Sequence, residues 1–163
     1  MAEPAEHPAT ETPPESVEGM SVLLVDDNIQ NLELLQAYLE DLGCEIRVAT
    51  DGQAAIDSAL ADPPDIILLD IMMPRVSGFQ ACQRIKGDPA TRNIPIIMIT
   101  ALNEVGDVER AVDCGADDFL TKPVHKIELL TRVRSLLRLS RLQQQLEGAT
   151  AQLREIKRQR GKA

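Results

Sequence analysis

The chain has 163 residues, enough for one domain with extensions, and its 44% of apolar residues can build a core. Aromatic residues make up only 2%, so that core must consist of Val, Ile, Leu, Met and Ala. The net charge of −9 argues against general nucleic-acid binding, and no apolar run approaches the ~18 residues of a membrane span.

Residues 1–19 hold four Pro and five Glu with no Lys or Arg. Such a segment cannot bury enough apolar surface to offset its ordering entropy, so a disordered, acidic, Pro-rich tail is expected. From Ser21 the pattern alternates. Short apolar runs at 21–25, 44–49, 65–69, 94–99 and 117–120 read as strands. Between them lie amphipathic segments at 28–42, 52–61, 75–87 and 104–114, with another from 125 on. Within 28–42, Leu32, Leu35, Leu39 and Leu42 form a helical stripe, and Gly43 stands where a helix C-cap belongs. The run Ile94-Pro95-Ile96-Ile97-Met98-Ile99 is almost wholly apolar, as a strand buried on both faces must be. Five strand–helix units predict a doubly wound α/β fold: a parallel sheet covered on both faces, with right-handed crossovers.

Two strands end in carboxylates. Val22-Leu23-Leu24-Val25 runs into Asp26-Asp27, and Ile66-Ile67-Leu68-Leu69 runs into Asp70, followed by Ile71-Met72-Met73-Pro74. In a parallel α/β sheet the ligand site lies beyond the carboxyl ends of the strands. Thr100 and Lys122 follow the fourth and fifth strands, at the same edge. Three carboxylates at one place repel one another and raise each other's pKa. A divalent cation resolves the conflict, and an oxygen-only site suits Mg²⁺.

The last helix has no Pro after Pro123. Leu139, Leu142, Leu146, Ala149, Leu153 and Ile156 alternate three and four apart, an a/d seam of about two and a half heptads, with Gly148 off the seam. From Arg138 to Ala163 seven basic residues face two acidic ones, a net of +5 that leaves −14 for the rest of the chain. The basic end comprises Arg154, Lys157, Arg158, Arg160 and Lys162. Cys44, Cys82 and Cys114 have neither disulfide-framework nor zinc spacing, so a reducing cytoplasm is the expected location and packing their expected role.

Asp26-Asp27, Asp70, Thr100-Ala101 and Lys122-Pro123, set in the stretches VLLVDDN, DIILLDIMMPRVSGF, IPIIMITA and GADDFLTKPV, resemble the receiver domain of two-component response regulators over roughly residues 20–138. The resemblance implies a flavodoxin-like sheet of order 2-1-3-4-5, here with a long C-terminal helix over 139–163 as a coiled-coil extension. It makes Asp70 the phosphoacceptor, attacking the phosphorus of a phosphohistidine. Mg²⁺ is then expected on Asp27, Asp70 and the Met72 carbonyl, with Asp26 acting through a metal-bound water. Lys122 pairs with a phosphoryl oxygen, and Pro123 follows a cis peptide that turns Lys122 inward. Gly78 suits the loop-to-helix backbone. Thr100 senses the phosphoryl group and Phe119 carries the rotamer switch. The apolar Met72 and Leu102 beside the site predict slow hydrolysis of the phosphorylated state.

The expected partners are a sensor histidine kinase or phosphotransfer protein, a downstream protein that the residues do not identify, and a second copy through 139–156. Nucleic acid and membrane are not expected, nor is an enzyme beyond phosphoryl acceptance. An aspartate-nucleophile phosphatase of the haloacid dehalogenase type would want a second Asp two positions after Asp70, where Met72 stands. The alternatives are a receiver fragment of a longer regulator, or a constitutive dimerising scaffold whose basic tail binds a polyanion.

Overall fold

The structure, a computed structural model, describes residues 16–101, 109–110 and 112–162. Five strands form one parallel sheet: β1 (Ser21–Val25), β2 (Glu45–Ala49), β3 (Ile66–Asp70), β4 (Ile96–Thr100) and β5 (Asp118–Thr121). Their order is β2-β1-β3-β4-β5, as expected. β3 and β4 are buried along their whole length because they lie inside the sheet with both faces covered. β2 is an edge strand, and its exposed Glu45 and Val48 show it.

Side chains alternate between two cores. Leu23, Val25, Ile67, Leu69 and Met98 pack with α2 (Gly52–Ala61) and α3 (Gly78–Gly87). Val22, Leu24, Ile66, Leu68, Ile97 and Ile99 pack with α1 (Ile29–Leu39) and the C-terminal helix (Lys126–Arg160). α1 runs on into a 3₁₀ turn, Glu40–Leu42, which Gly43 closes at φ 67°. The left-handed cap expected at that glycine is therefore present.

The expected helix over 75–87 begins only at Gly78. Arg75 takes a positive φ of 67°, and Ser77 starts the helix with a capping box: its side chain accepts from the Gln80 N–H while the Gln80 side chain accepts from the Ser77 N–H. The segment expected to be helical over 104–114 lies partly outside the described residues; within them Glu109, Arg110, Val112 and Asp113 are helical.

Residues 1–15 lie outside the described residues, but the end of the expected tail is tied to the body through Val17, although Glu18 and Gly19 are exposed. Val17 and Met20 are buried against α1 and the C-terminal helix, and the Gly19 N–H donates to the Gly43 carbonyl at 3.0 Å. The folded unit thus starts before the boundary expected between residues 19 and 20. Composition hid this, because one buried valine among prolines and glutamates does not alter an average.

The C-terminal helix is unbroken for 35 residues. Leu129, Val133 and Leu137 are buried in the body, whereas Leu139, Leu142, Leu146, Leu153 and Ile156 are 47–68% exposed. Among the described residues, no helix is long and apolar enough to cross a membrane.

Candidate functional site

Parallel register carries the ends of three neighbouring strands to one edge. Val25 pairs with Leu69, and Asp70 pairs with Ile99. Asp26-Asp27 leaves β1, Asp70 ends β3, Thr100 ends β4 and Lys122 follows β5, so side chains 96 residues apart in sequence meet. Carboxylate oxygens of Asp26, Asp27 and Asp70 all lie within 4.8 Å of one another.

Asp26 is only 2% exposed and Asp70 only 3%, whereas Asp27 faces solvent. Asp26 accepts from the Asn28 N–H at 2.9 Å and from Asn31 Nδ2 at 3.2 Å. Lys122 Nζ lies 3.6 Å from Asp26 and 3.4 Å from Asp70, between the two buried acids. Its backbone N–H donates to the Thr100 carbonyl at 2.7 Å, which fixes where the ammonium enters. The Lys122–Pro123 peptide is cis. Met72 donates its N–H to Asp70 Oδ1 at 3.4 Å while its side chain points out, 58% exposed. Thr100 is buried beside the site, and Phe119 stands at the surface, 38% exposed. Gly78 touches the far side of Asp70: a Cβ there would sit 2.3 Å from the Asp70 carbonyl oxygen.

Burial, and next the neighbouring Asp26 carboxylate, push the Asp70 carboxyl above the ordinary carboxylate range; Lys122 and the Met72 N–H pull the other way. Three carboxylates against one ammonium leave two negative charges in a pocket of hard oxygen donors. That excess and that donor set fit a divalent cation such as Mg²⁺. Asp26, Asp27 and Asp70 could ligate it.

Lys122 is the only described cation paired with the two buried acids. Replacing it by Met strands both. Removing one partner of a buried pair costs about 3–5 kcal/mol. Lys122 is partly exposed, so a loss of about 2 kcal/mol is expected in EDTA, largely recovered in millimolar Mg²⁺. Urea unfolding with and without the cation measures it; a Lys122→Met variant as stable as wild type in EDTA would remove Lys122 as the counter-ion.

Sequence reasoning missed several supporting groups. Asn31 holds Asp26 from the first turn of α1, and Asn28 caps that helix through the Gln30 and Asn31 N–H groups. The Ser77–Gln80 capping box was readable as S-x-x-Q. Arg110 lies 4.2 Å over the Phe79 ring beside the β3–α3 loop, a contact between distant segments that no local pattern announces. The cysteines are packing groups: Cys82 and Cys114 are buried, Cys44 is half-buried, and burial pushes the Cys44 and Cys82 thiols up.

The response regulator receiver domain profile matches residues 22–134. Over 117 residues the chain is 49% identical to the response regulator PleD of Caulobacter vibrioides, covering 72% of this chain and 26% of that protein. It is 43% identical to the DNA-binding dual master transcriptional regulator RpaA of Synechocystis, covering 72% of this chain and 48% of that one. The chain therefore spans between a quarter and a half of these relatives. Among solved structures it superposes on the receiver domain of the sensor histidine kinase PA1611 of Pseudomonas aeruginosa, whose active-site cleft coordinates a magnesium ion. The TM-score is 0.68 at 34% identity, over 73% of this chain and 98% of that one. The receiver domain of a histidine kinase from Syntrophus aciditrophicus gives 0.69 at 36% identity, over 73% and 90%. With a matching profile over most of its length and relatives of this identity, the chain is a member of the response regulator receiver domain family.

Proposed function

We propose that Asp70 accepts a phosphoryl group from a phosphohistidine on a sensor histidine kinase or phosphotransfer protein in the cytoplasm, and that the acyl phosphate switches protein–protein contacts. One observation carries this: three carboxylates and a lysine converge at the carboxyl edge of the sheet, with Asp70 buried and in reach of Lys122. An Asp70 carboxylate oxygen attacks phosphorus, the P–N bond breaks, and the imidazole leaves with the bonding pair and takes a proton. The barrier is dominated by charge on the transferring group, so positioning and cations supply most of the catalysis.

Mg²⁺ held by Asp27, Asp70 and the Met72 carbonyl, with Asp26 acting through a metal-bound water, would neutralise that charge when bound. Lys122, between Asp26 and Asp70, is the protein's own cation for a phosphoryl oxygen. Thr100, buried at the end of β4, supplies the hydroxyl that meets another. Its movement opens room for Phe119 to turn inward, a two-state change biased by a local charge. The exposed, apolar Met72 side chain does not hold an attacking water, which favours slow hydrolysis. Leu102, expected to act likewise, lies outside the described residues. The chain signals to a downstream protein as a dimer formed through 139–156.

Intact mass after incubation with acetyl phosphate and Mg²⁺ tests the acceptor. A single phosphoryl adduct, absent in Asp70→Asn and in EDTA, is expected. An adduct retained in Asp70→Asn would place the acceptor elsewhere.

A further inference from the structure

We infer that two copies of this chain pair along the C-terminal helix seam whether or not Asp70 carries a phosphoryl group. This inference rests on the dimer proposed above and goes further by making it constitutive.

Leu139, Leu142, Leu146, Ala149, Leu153 and Ile156 follow a 3-4-3-4-3 spacing on one continuous helix, and the five large members are all exposed. A stripe with that period, solvated along its whole length, is self-complementary: the same patch on two copies buries itself. The middle of its sides is lined by Gln143, Gln145, Thr150 and Gln152, which are uncharged and bring no repulsion to a pairing of two copies; the charged flanks, Arg138 and Lys157, stand at its two ends.

The opposite side of the helix is already occupied. The Arg141 guanidinium donates to the Ser16 carbonyl, and Gln144 Nε2 donates to Asp65 Oδ1 at 3.4 Å. At 3.6 residues per turn, Arg141 and Gln144 project from the face away from the seam. The body therefore holds the helix by its back and turns the apolar stripe outward, where a second copy meets it without clashing with the first body.

Among the described residues, the anchors have no link to the phosphoacceptor. Asp65 precedes β3 and is itself held by the Ser21 N–H at 2.8 Å, at the amino end of β1. Ser16 belongs to the N-terminal strap that packs beside Val17 and Met20. These groups sit at the amino edge of the sheet, whereas Asp70, Thr100 and Lys122 sit at the carboxyl edge. The seam is presented in the unphosphorylated chain, and nothing at Asp70 is needed to expose it.

At and beyond the end of the seam, Arg154, Lys157, Arg158 and Arg160 gather like charge on each helix. Salt screens such charge, so added salt tightens this dimer, the reverse of binding to a polyanion.

Light scattering over a concentration series tests the proposal on the full chain in four preparations: untreated, treated with acetyl phosphate and Mg²⁺, Asp70→Asn, and Leu146→Glu. The mass is expected to rise from 17.9 kDa towards twice that value in the first three, at midpoints agreeing within about twofold. Leu146→Glu buries a pair of like charges in the seam and weakens association by about a hundredfold or more. Its phosphoryl adduct, read by intact mass, is unchanged, which shows that the receiver remains folded. The proposal is overturned by 17.9 kDa at every concentration, by a dimer that forms only with the adduct, or by a Leu146→Glu variant that still pairs. A dimer without any adduct sinks the phosphoacceptor reading alone and leaves the pairing in place.

Discussion

Asp70→Asn is expected to abolish phosphoryl acceptance and, at the same time, to stabilise the metal-free fold at neutral pH by on the order of 1 kcal/mol. The two effects have one cause. The wild-type carboxylate is buried beside Asp26, with Lys122 and the Met72 N–H, among the described residues, in its favour. Asparagine keeps the volume, removes one of three crowded negative charges, and leaves Lys122 to pair with Asp26. Because the folded-state pKa of Asp70 is raised, its ionisation opposes folding. That penalty is fully present above the folded pKa. It fades as pH falls and is gone below the unfolded value of about 3.9. Wild type and variant should therefore converge near pH 4 and separate towards pH 7. Mg²⁺ should reverse the ranking at neutral pH, since wild type has the extra ligand and a ligand that binds only the folded state stabilises it. Urea unfolding of both proteins, in EDTA and in Mg²⁺ across that range, decides the matter. An Asn variant less stable than wild type in EDTA at pH 7 would mean that the buried carboxylate is better compensated than its neighbours suggest.

Much of this arrangement is legible in the amino-acid sequence alone. Runs such as Ile66–Leu69 have no polar face, so they had to lie inside a sheet covered twice, and an Asp at the end of such a run had to lie at the sheet edge. α2 was readable over 52–61 because its helical period is undisturbed and Asp51 caps it through the Ala54 N–H. What was less legible depends on contacts between distant segments. The placement of Val17 rests on α1 and the C-terminal helix, and the support of Asp26 by Asn31 rests on how α1 enters. The late start of α3 was within reach, because Pro74 and the Ser77–Gln80 pair both argue against helix at 75, but amphipathic period alone extended it too far. Period finds the face of a helix; caps find its ends.

Gly78→Ala is expected to be strongly damaging for so small a substitution, costing about 3 kcal/mol or more. The reason is space. An added Cβ would lie 2.3 Å from the Asp70 carbonyl oxygen and 2.7 Å from the Ile71 Cα, and both obstacles are backbone. Neither can rotate away. The Gly78 N–H also donates to the Ile71 carbonyl at 3.0 Å, so the start of α3 is stitched to the end of β3. Either α3 lifts from the core and uncovers Phe79, Cys82 and Ile85, or the Asp70–Met72 backbone shifts. The second movement carries Asp70 away from Lys122 and from the Met72 N–H. A loss of Mg²⁺ affinity should therefore accompany the loss of stability, which a mere cavity or propensity effect would not produce. Gly87→Ala supplies the control in the same helix. Nothing lies within 4 Å of its added methyl, and alanine is the better helix former by roughly 1 kcal/mol at most, so a small change of either sign is expected. Urea midpoints and Mg²⁺ titrations of both variants separate the outcomes. If Gly78→Ala matched Gly87→Ala in both, the close approach of α3 to Asp70 would not be what holds the acceptor in place.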